Sequence, residues 1–478
     1  MVTDRLRIAL LVYRGNPHSG GQGVYTRYLA RELVELGHEV TVFAGQPWPV
    51  LDPGVGFVAV PSLDLYRQPD PFRRPHAWEL RSPIDVAEYA TVCTGGFPEP
   101  RTFSWRVRRL LAGRRGAFDV VHDNQTFGRS LLGVMEDGWP LIGTCHHPIT
   151  VDRTLELSHA TDLRRQLSLR RWYGFLAMQK KVARRIPRIL TVSASSKRDI
   201  VEQMDVAADR LAVVPIGVDH ERFRPRTDIR RVPGRIMTTA SADVPLKGLI
   251  PLLEAVAKLR VEHPEAHLVV VGRLKEESPV ARTIADLGLE HVVTFSPGVS
   301  DQRLTDMFAE ASVAAVPSLY EGFSLPAVEA MASGTPLVAT TGGALPEVAG
   351  PDGVAALSVP PNDPGALADA IGRIFDDPDL AARLSLAGRR RVLDNFTWQA
   401  CAAATADNYR LVIEDKRSGP AAPAPRGAPR RSRPADPAPR NAARRSRPAD
   451  PAGLGARPGT AVAAAVVIAA TAGEAAGC

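Results

Sequence analysis

Cysteine is scarce in this chain. Its four copies among 478 residues, Cys93, Cys145, Cys401 and Cys478, are too scattered for a zinc spacing or a disulfide framework. Their spread points to a reducing, cytoplasmic setting and excludes a small disulfide-stapled fold. Long apolar runs are missing as well. "IALLVY" is too short for the apolar segment of a signal peptide and reads as a buried strand. "AVAAAVVIAA" near the C-terminus falls far short of the ~20 apolar residues of a membrane span. A P-loop is absent. The glycines at 20, 21 and 23 form GGxG rather than the dinucleotide fingerprint GxGxxG, and "HEVTVFA" ends without a ribose-binding acid. "GFSLP" has Pro326 where a nucleophile elbow needs its second glycine. A nicotinamide dehydrogenase and a serine hydrolase are therefore poor fits.

What remains is a soluble globular composition, 45% hydrophobic and 23% charged, in a chain long enough for two large domains. The net charge of +7 is misleading. From Lys416 onward there are eleven Lys or Arg against three Asp or Glu, so the rest of the chain carries a net charge of −1. That tail is rich in Pro, Ala and Arg, contains "RRSRPADPA" twice, and cannot bury a core; disorder is the expectation for 416–478. A solvated tail is favoured over a tether to membrane or nucleic acid, and no specific nucleic-acid partner is expected.

Strands and helices alternate in two series. "RIALLVY", the loop "RGNPHSGGQG", the helix "VYTRYLARELVELG" and "HEVTVFA" begin the first, which continues through "DVVHD", "PLIGTCH" and "RILTVSA". "RIMTTAS", "HLVVVG", "VVTFSP", "VAAVPS" and "PLVATT" make the second, with the boundary near 215–233. The fold class is α/β, two doubly wound domains with parallel sheets. Asp377-Pro-Asp379 has the form of a DxD metal motif, but it opens a short helix and reads better as an N-cap.

The most informative stretch is "SLYEGFSLPAVEAMASG", 318–334, where Glu321 and Glu329 flank a Gly-Phe-Ser-Leu-Pro turn. Eight positions is not a spacing of neighbours on one helix face. Ser324 is a suitable N-cap and Pro326 is tolerated only in a first turn, so Glu321 should lie in a loop and Glu329 in the helix that follows. The N–H groups between them suit an anion, and the carboxylates suit hydroxyls. Two glutamates could also serve a glycosidase, although such enzymes rarely need two nucleotide-type domains.

This stretch resembles the E-x7-E signature of family 4 (group 1) glycosyltransferases. "SGGQGVYTRYLARELVELGHEVTVF", "TVSASSKRDI", "PIGVDHERFRP" and "KGLIPLLEA" fall in the order that family uses. The resemblance spans "RIALLVY" to about residue 415 and implies the GT-B fold, two Rossmann-like domains facing across a cleft. It implies an acceptor-side domain at 1–215, a nucleotide-sugar domain at 216–395 and a terminal helix at 396–415 packing back on the first. Glu321 would meet the donor sugar's hydroxyls and Glu329 the ribose. The backbone of Phe323, Ser324 and Leu325 would face sugar and phosphate. Gly20 and Gly21 would admit the diphosphate, Lys247 would bind it, and His146 would stand beside the sugar at the reacting face. His147 is the neighbouring candidate. An ordinary turn, a surface lysine and a core histidine are the structural alternatives for these last sites.

Two departures stand out. Ser241 occupies the position where the family has a diphosphate-binding Arg, with Arg273 after "VVVG" a possible substitute, and Ile216 replaces a common Asn. The function implied is a retaining, metal-independent hexosyltransferase that uses a UDP- or GDP-linked sugar as donor substrate, without a cofactor, and an acceptor hydroxyl that is lipid-linked or on a polysaccharide. A sugar-nucleotide-binding protein with weak or no turnover is the alternative, and an epimerase a more distant one. In residues 164–188 Lys and Arg are interleaved with Trp172, Tyr173 and Phe175, and Lys181, Arg184, Arg185 and Arg188 are spaced for one helical face. A peripheral contact with the inner face of an anionic membrane competes there with a plain solvated face.

Overall fold

The computed structural model describes residues 5–16, 21–67, 70–160, 162–240 and 244–418. The expected tail from 419 onward, Gly20 and Ser241 lie outside the described residues. Among those described, no helix is long and apolar enough to cross a membrane.

Two all-parallel sheets form the frame. The first holds β1 (Arg7–Val12), β2 (Glu39–Ala44), β3 (Gly56–Ala59), β4 (Val120–Asn124), β5 (Leu141–Cys145), β6 (Arg188–Thr191) and β7 (Leu211–Val213), in the order 3-2-1-4-5-6-7. The second holds β8 (Val232–Thr239), β9 (His267–Val271), β10 (Val293–Phe295), β11 (Ala311–Val316), β12 (Leu337–Thr340) and β13 (Leu357–Val359), in the order 10-9-8-11-12-13. The period of two is visible in β1. Ile8, Leu10 and Val12 join one apolar core, and Ala9 and Leu11 join the core on the opposite face. Such two-sided burial makes parallel strands read as unbroken apolar runs. Strand order reverses between β1 and β4 and again between β8 and β11, and ligands of open α/β sheets bind outside the strand ends at these points.

The chain crosses between the sheets twice, and the crossings touch. Val218 N–H donates to the Phe396 carbonyl at 2.9 Å. Gly217 must be glycine here, because a Cβ would lie 2.2 Å from the Trp398 nitrogen. After the second crossing the helix Trp398–Ser418 returns to the first sheet. It continues through Lys416 and Arg417, past the expected start of the tail. Trp398 stacks on Tyr28 with ring centroids 5.3 Å apart, Asn408 meets Arg188, and the Tyr409 hydroxyl lies 2.7 Å from His122 Nδ1.

His122 is fully buried and kept neutral, with its pKa pushed down to about 3 by burial. Its other ring nitrogen meets the Thr144 hydroxyl at 2.6 Å. Tyr409→Phe strips one partner from a sealed imidazole and is expected to cost about 1–3 kcal/mol. Urea denaturation should show a lower midpoint with an unchanged slope; an unchanged midpoint would mean the contact contributes nothing.

The structure corrects the reading of 164–188. The helix Leu176–Ala183 stops before Arg184, and Arg188 lies on β6. The four basic residues therefore share no helical face. Arg184 pairs with Asp205, and Trp172, Tyr173 and Phe175 are core residues. The spacing of these four residues therefore gives no ground for a membrane contact, because without a continuing helix the charges fall on different elements.

Candidate active site

Both switch points open towards each other. In the second sheet, Lys247 follows β8 in the short turn Pro245–Lys247, and Glu321 lies in the loop after β11. These two strands flank the reversal, so the fold brings the two side chains together from 74 residues apart. Lys247 Nζ lies 2.9 Å and 3.2 Å from the Glu321 carboxylate oxygens, and the Ser318 hydroxyl donates to the same carboxylate at 2.7 Å. Each was expected to face a ligand; in the structure they also pair with each other.

The turn between the glutamates differs from the sequence expectation in one respect. Ser324 precedes the helix Leu325–Ala332 with φ +92°, and its side chain makes no capping bond. Pro326 sits in the first turn and has no N–H to donate to a cap. Ser324 Oγ is buried with no hydrogen-bond partner among the described residues, and the N–H groups of Phe323, Ser324 and Leu325 bond to no described acceptor. Phe323 itself packs into the core against Phe396, so only its backbone is available. Glu329 lies in the helix as expected. Its half-buried carboxylate makes no hydrogen bond to a described residue, and burial, reinforced by Asp301, pushes its pKa up to about 7. Arg273 follows β9, which pairs with β8 through Val271 and Thr239, and is exposed at the same sheet edge. Asp377 accepts from Leu380 N–H at 2.8 Å, the N-cap expected of it.

On the facing side Gly21 begins the helix Gly21–Glu35, and His146 and His147 follow β5. His146 is buried beneath the Tyr25 ring, with centroids 4.7 Å apart, and burial pushes its pKa down to about 3. His147 behaves oppositely. Burial works against its charged form, but the Asp152 carboxylate, 3.0 Å from Nε2, raises its pKa above the ordinary value.

The two halves meet at Gly322. A Cβ there would lie 3.1 Å from His147 Cβ and 3.3 Å from the His146 carbonyl. The Ser193 hydroxyl donates to the Gly322 carbonyl at 2.7 Å, and the Ser196 hydroxyl lies 3.1 Å from it and 3.0 Å from the His146 carbonyl. Glu347 of the second domain accepts from the N–H groups of Ala194 and Ser195, both at 2.7 Å, at the start of the helix Ala194–Met204. A carboxylate at a helix N-terminus is favourably placed.

Sequence reasoning missed the residues that hold the histidine pair. Gln125 Oε1 accepts from His146 N–H at 2.7 Å, Gln125 Nε2 donates to the His147 carbonyl at 3.0 Å, and Asn124 meets the His146 ring. The available signal was the polar run "HDNQT" ending an apolar strand, where a parallel sheet presents its ligand edge.

Two Rossmann-like domains meet over a glutamate–lysine pair and a histidine pair, the arrangement of a two-domain GT-B cleft. The chain belongs to the family 4, group 1 glycosyltransferases and is a glycosyltransferase of GT-B fold. The family model for glycosyl transferases group 1 matches residues 227–391, and that for glycosyltransferase family 4 matches 19–222. The MMP α-(1→4)-mannosyltransferase of Mycolicibacterium hassiacum is 54% identical, over 85% of this chain and 98% of that protein. A D-inositol 3-phosphate glycosyltransferase of Streptomyces scabiei is 30% identical over 84% and 89%. The fold is shared with the sucrose-phosphate synthase of Thermosynechococcus elongatus, at TM-score 0.64 and 22% identity, covering 85% and 99%. It is shared too with Anabaena HepE in complex with UDP-glucose, at TM-score 0.61 and 16% identity, covering 85% and 100%.

Proposed function

We propose that the protein is a retaining α-mannosyltransferase that takes its sugar from a nucleotide diphosphate donor, GDP- or UDP-linked, and forms an α-(1→4) bond to an acceptor hydroxyl. The sugar and linkage rest on the name of the 54% identical relative. The observation that carries the donor reading is the row of unbonded donors after β11: the Phe323, Ser324 and Leu325 N–H groups and the buried Ser324 hydroxyl, beside Lys247. Together they suit the charge that develops on a departing diphosphate. Glu321 would hold the sugar, Glu329 the ribose, and His146 would stand at the reacting carbon. The Gly20–Gly21 backbone would approach the diphosphate.

In this reading the C1–O bond to phosphate breaks while the acceptor oxygen bonds C1 from the same face. The acceptor proton passes to the leaving phosphate oxygen. The protein positions the partners and stabilises charge, and no step is assigned to a metal.

The test is a panel of GDP- and UDP-sugars with short α-mannoside acceptors, the product's anomeric configuration and linkage being read by NMR. Transfer from GDP- or UDP-mannose with an α-(1→4) linkage is expected. A β-linked product would overturn retention, and transfer of only another sugar would overturn the donor.

A further inference from the structure

His146 sits at the end of a buried chain of hydrogen bonds whose direction can be worked out. Thr26 Oγ1 donates to the Gln22 carbonyl at 2.8 Å, which uses its only proton. Thr26 Oγ1 can therefore only accept from the Asn124 side chain, 3.1 Å away. The same Asn124 atom lies 3.5 Å from the Gln22 carbonyl, so it faces two oxygens and must be the NH2 group. The Asn124 carbonyl oxygen then points at His146 Nε2, 2.8 Å away. An amide oxygen accepts only, so Nε2 must carry the ring proton. Thr26 and Asn124 are fully buried, and water has no access to reverse the chain.

A neutral imidazole with its proton on Nε2 has a bare Nδ1. That atom makes no hydrogen bond to a described residue. Meanwhile Gln125 grips the backbone on both sides of His146, and Gln179 Nε2 supports that loop through the Thr126 carbonyl at 3.1 Å. Ring and backbone are thus set by adjacent residues, Asn124 and Gln125, at the β4 end of the switch point.

The geometry points to Asn124 as a positioning residue that locks His146 in the Nε2–H tautomer, so that His146 meets its ligand as an acceptor from a sugar hydroxyl rather than as a donor to phosphate. The inference rests on the reading of His146 at the reacting face.

The test labels histidine with ¹⁵N and compares wild type with Asn124→Leu and Thr26→Val. The second variant keeps side-chain shape and leaves His146 and its immediate partner intact. Wild type should show a pyridine-type Nδ1 and a pyrrole-type Nε2 for the resonance that His146→Ala removes. Asn124→Leu should lose that fixed pattern and about ten-fold or more in kcat, with KM changed less, as happens when a catalytic histidine loses the group that orients its proton. Thr26→Val, which leaves the Gln22 carbonyl facing the Asn124 amide, should lose less of both. A pyrrole-type Nδ1 in wild type would overturn the lock. So would an unchanged pattern in a folded Asn124→Leu protein. Full turnover in His146→Ala would instead overturn the placement of His146 at the reacting face, and the NMR pattern would separate the two failures.

Discussion

Glu321→Ala is expected to lower turnover by about 10²–10³-fold, the scale seen when one preorganised group at a reacting centre is removed. Free nucleoside diphosphate should bind the variant at least as well as wild type. The reason is local. Glu321 pairs with Lys247 at 2.9 Å, so truncating it removes one negative charge from beside the phosphate position. Ser318 loses its acceptor as well, but its hydroxyl can turn towards solvent in the emptied space. Calorimetric titration with GDP and UDP, alongside steady-state kinetics, separates the two quantities. A variant that loses nucleotide affinity in step with turnover would show that Glu321 does not act through the sugar.

Glu329 should behave in the opposite way. Its carboxylate lacks a described hydrogen-bond partner, and its pKa is pushed up to about 7 by burial. A ribose diol would supply the two missing donors. Glu329→Gln is therefore expected to weaken the nucleotide by about 1.5–3 kcal/mol, the scale of hydrogen bonds to a charged group. Wild-type affinity should fall as pH drops below 7, because the protonated acid is a poorer acceptor, and the glutamine variant should lose that dependence. Stability moves the other way. The folded acid holds its proton to a higher pH than the unfolded one, so folding stability falls as pH rises from about 4.5 to 7. At pH 8 the unliganded glutamine variant should accordingly melt higher than wild type, and at pH 4 the two should coincide. Equal affinity for nucleotide in the two proteins at pH 8 would remove Glu329 from the donor site.

Much of this was legible from sequence because it depends on local periodicity. Short apolar runs, each followed by a polar loop, mark strands buried on both faces, and β1, β5 and β11 show that pattern. The strands that escaped notice, β3, β7 and β13, are short pieces at sheet edges. An edge strand has one neighbour, and its apolar signal is correspondingly weak. Ser324 was misjudged as a cap because cap preference describes extended backbone, and its φ of +92° turns the hydroxyl away from the helix.

The sequence by itself determined two α/β domains, the family, and the order of the glutamate, lysine and histidine motifs along the chain. Strand alternation and E-x7-E spacing are local properties, written in consecutive residues. Only the tertiary structure decided what those motifs touch. Lys247 reaches Glu321 because the strands before them are neighbours at a switch point. Gly322 abuts the histidine pair because Ser193, Ser196 and Glu347 hold one domain against the other. The proton on His146 is set by Asn124 and Thr26, which stand 98 residues apart in the chain. Contacts of that range arise from chain topology and close packing, and no spacing within a single segment records them.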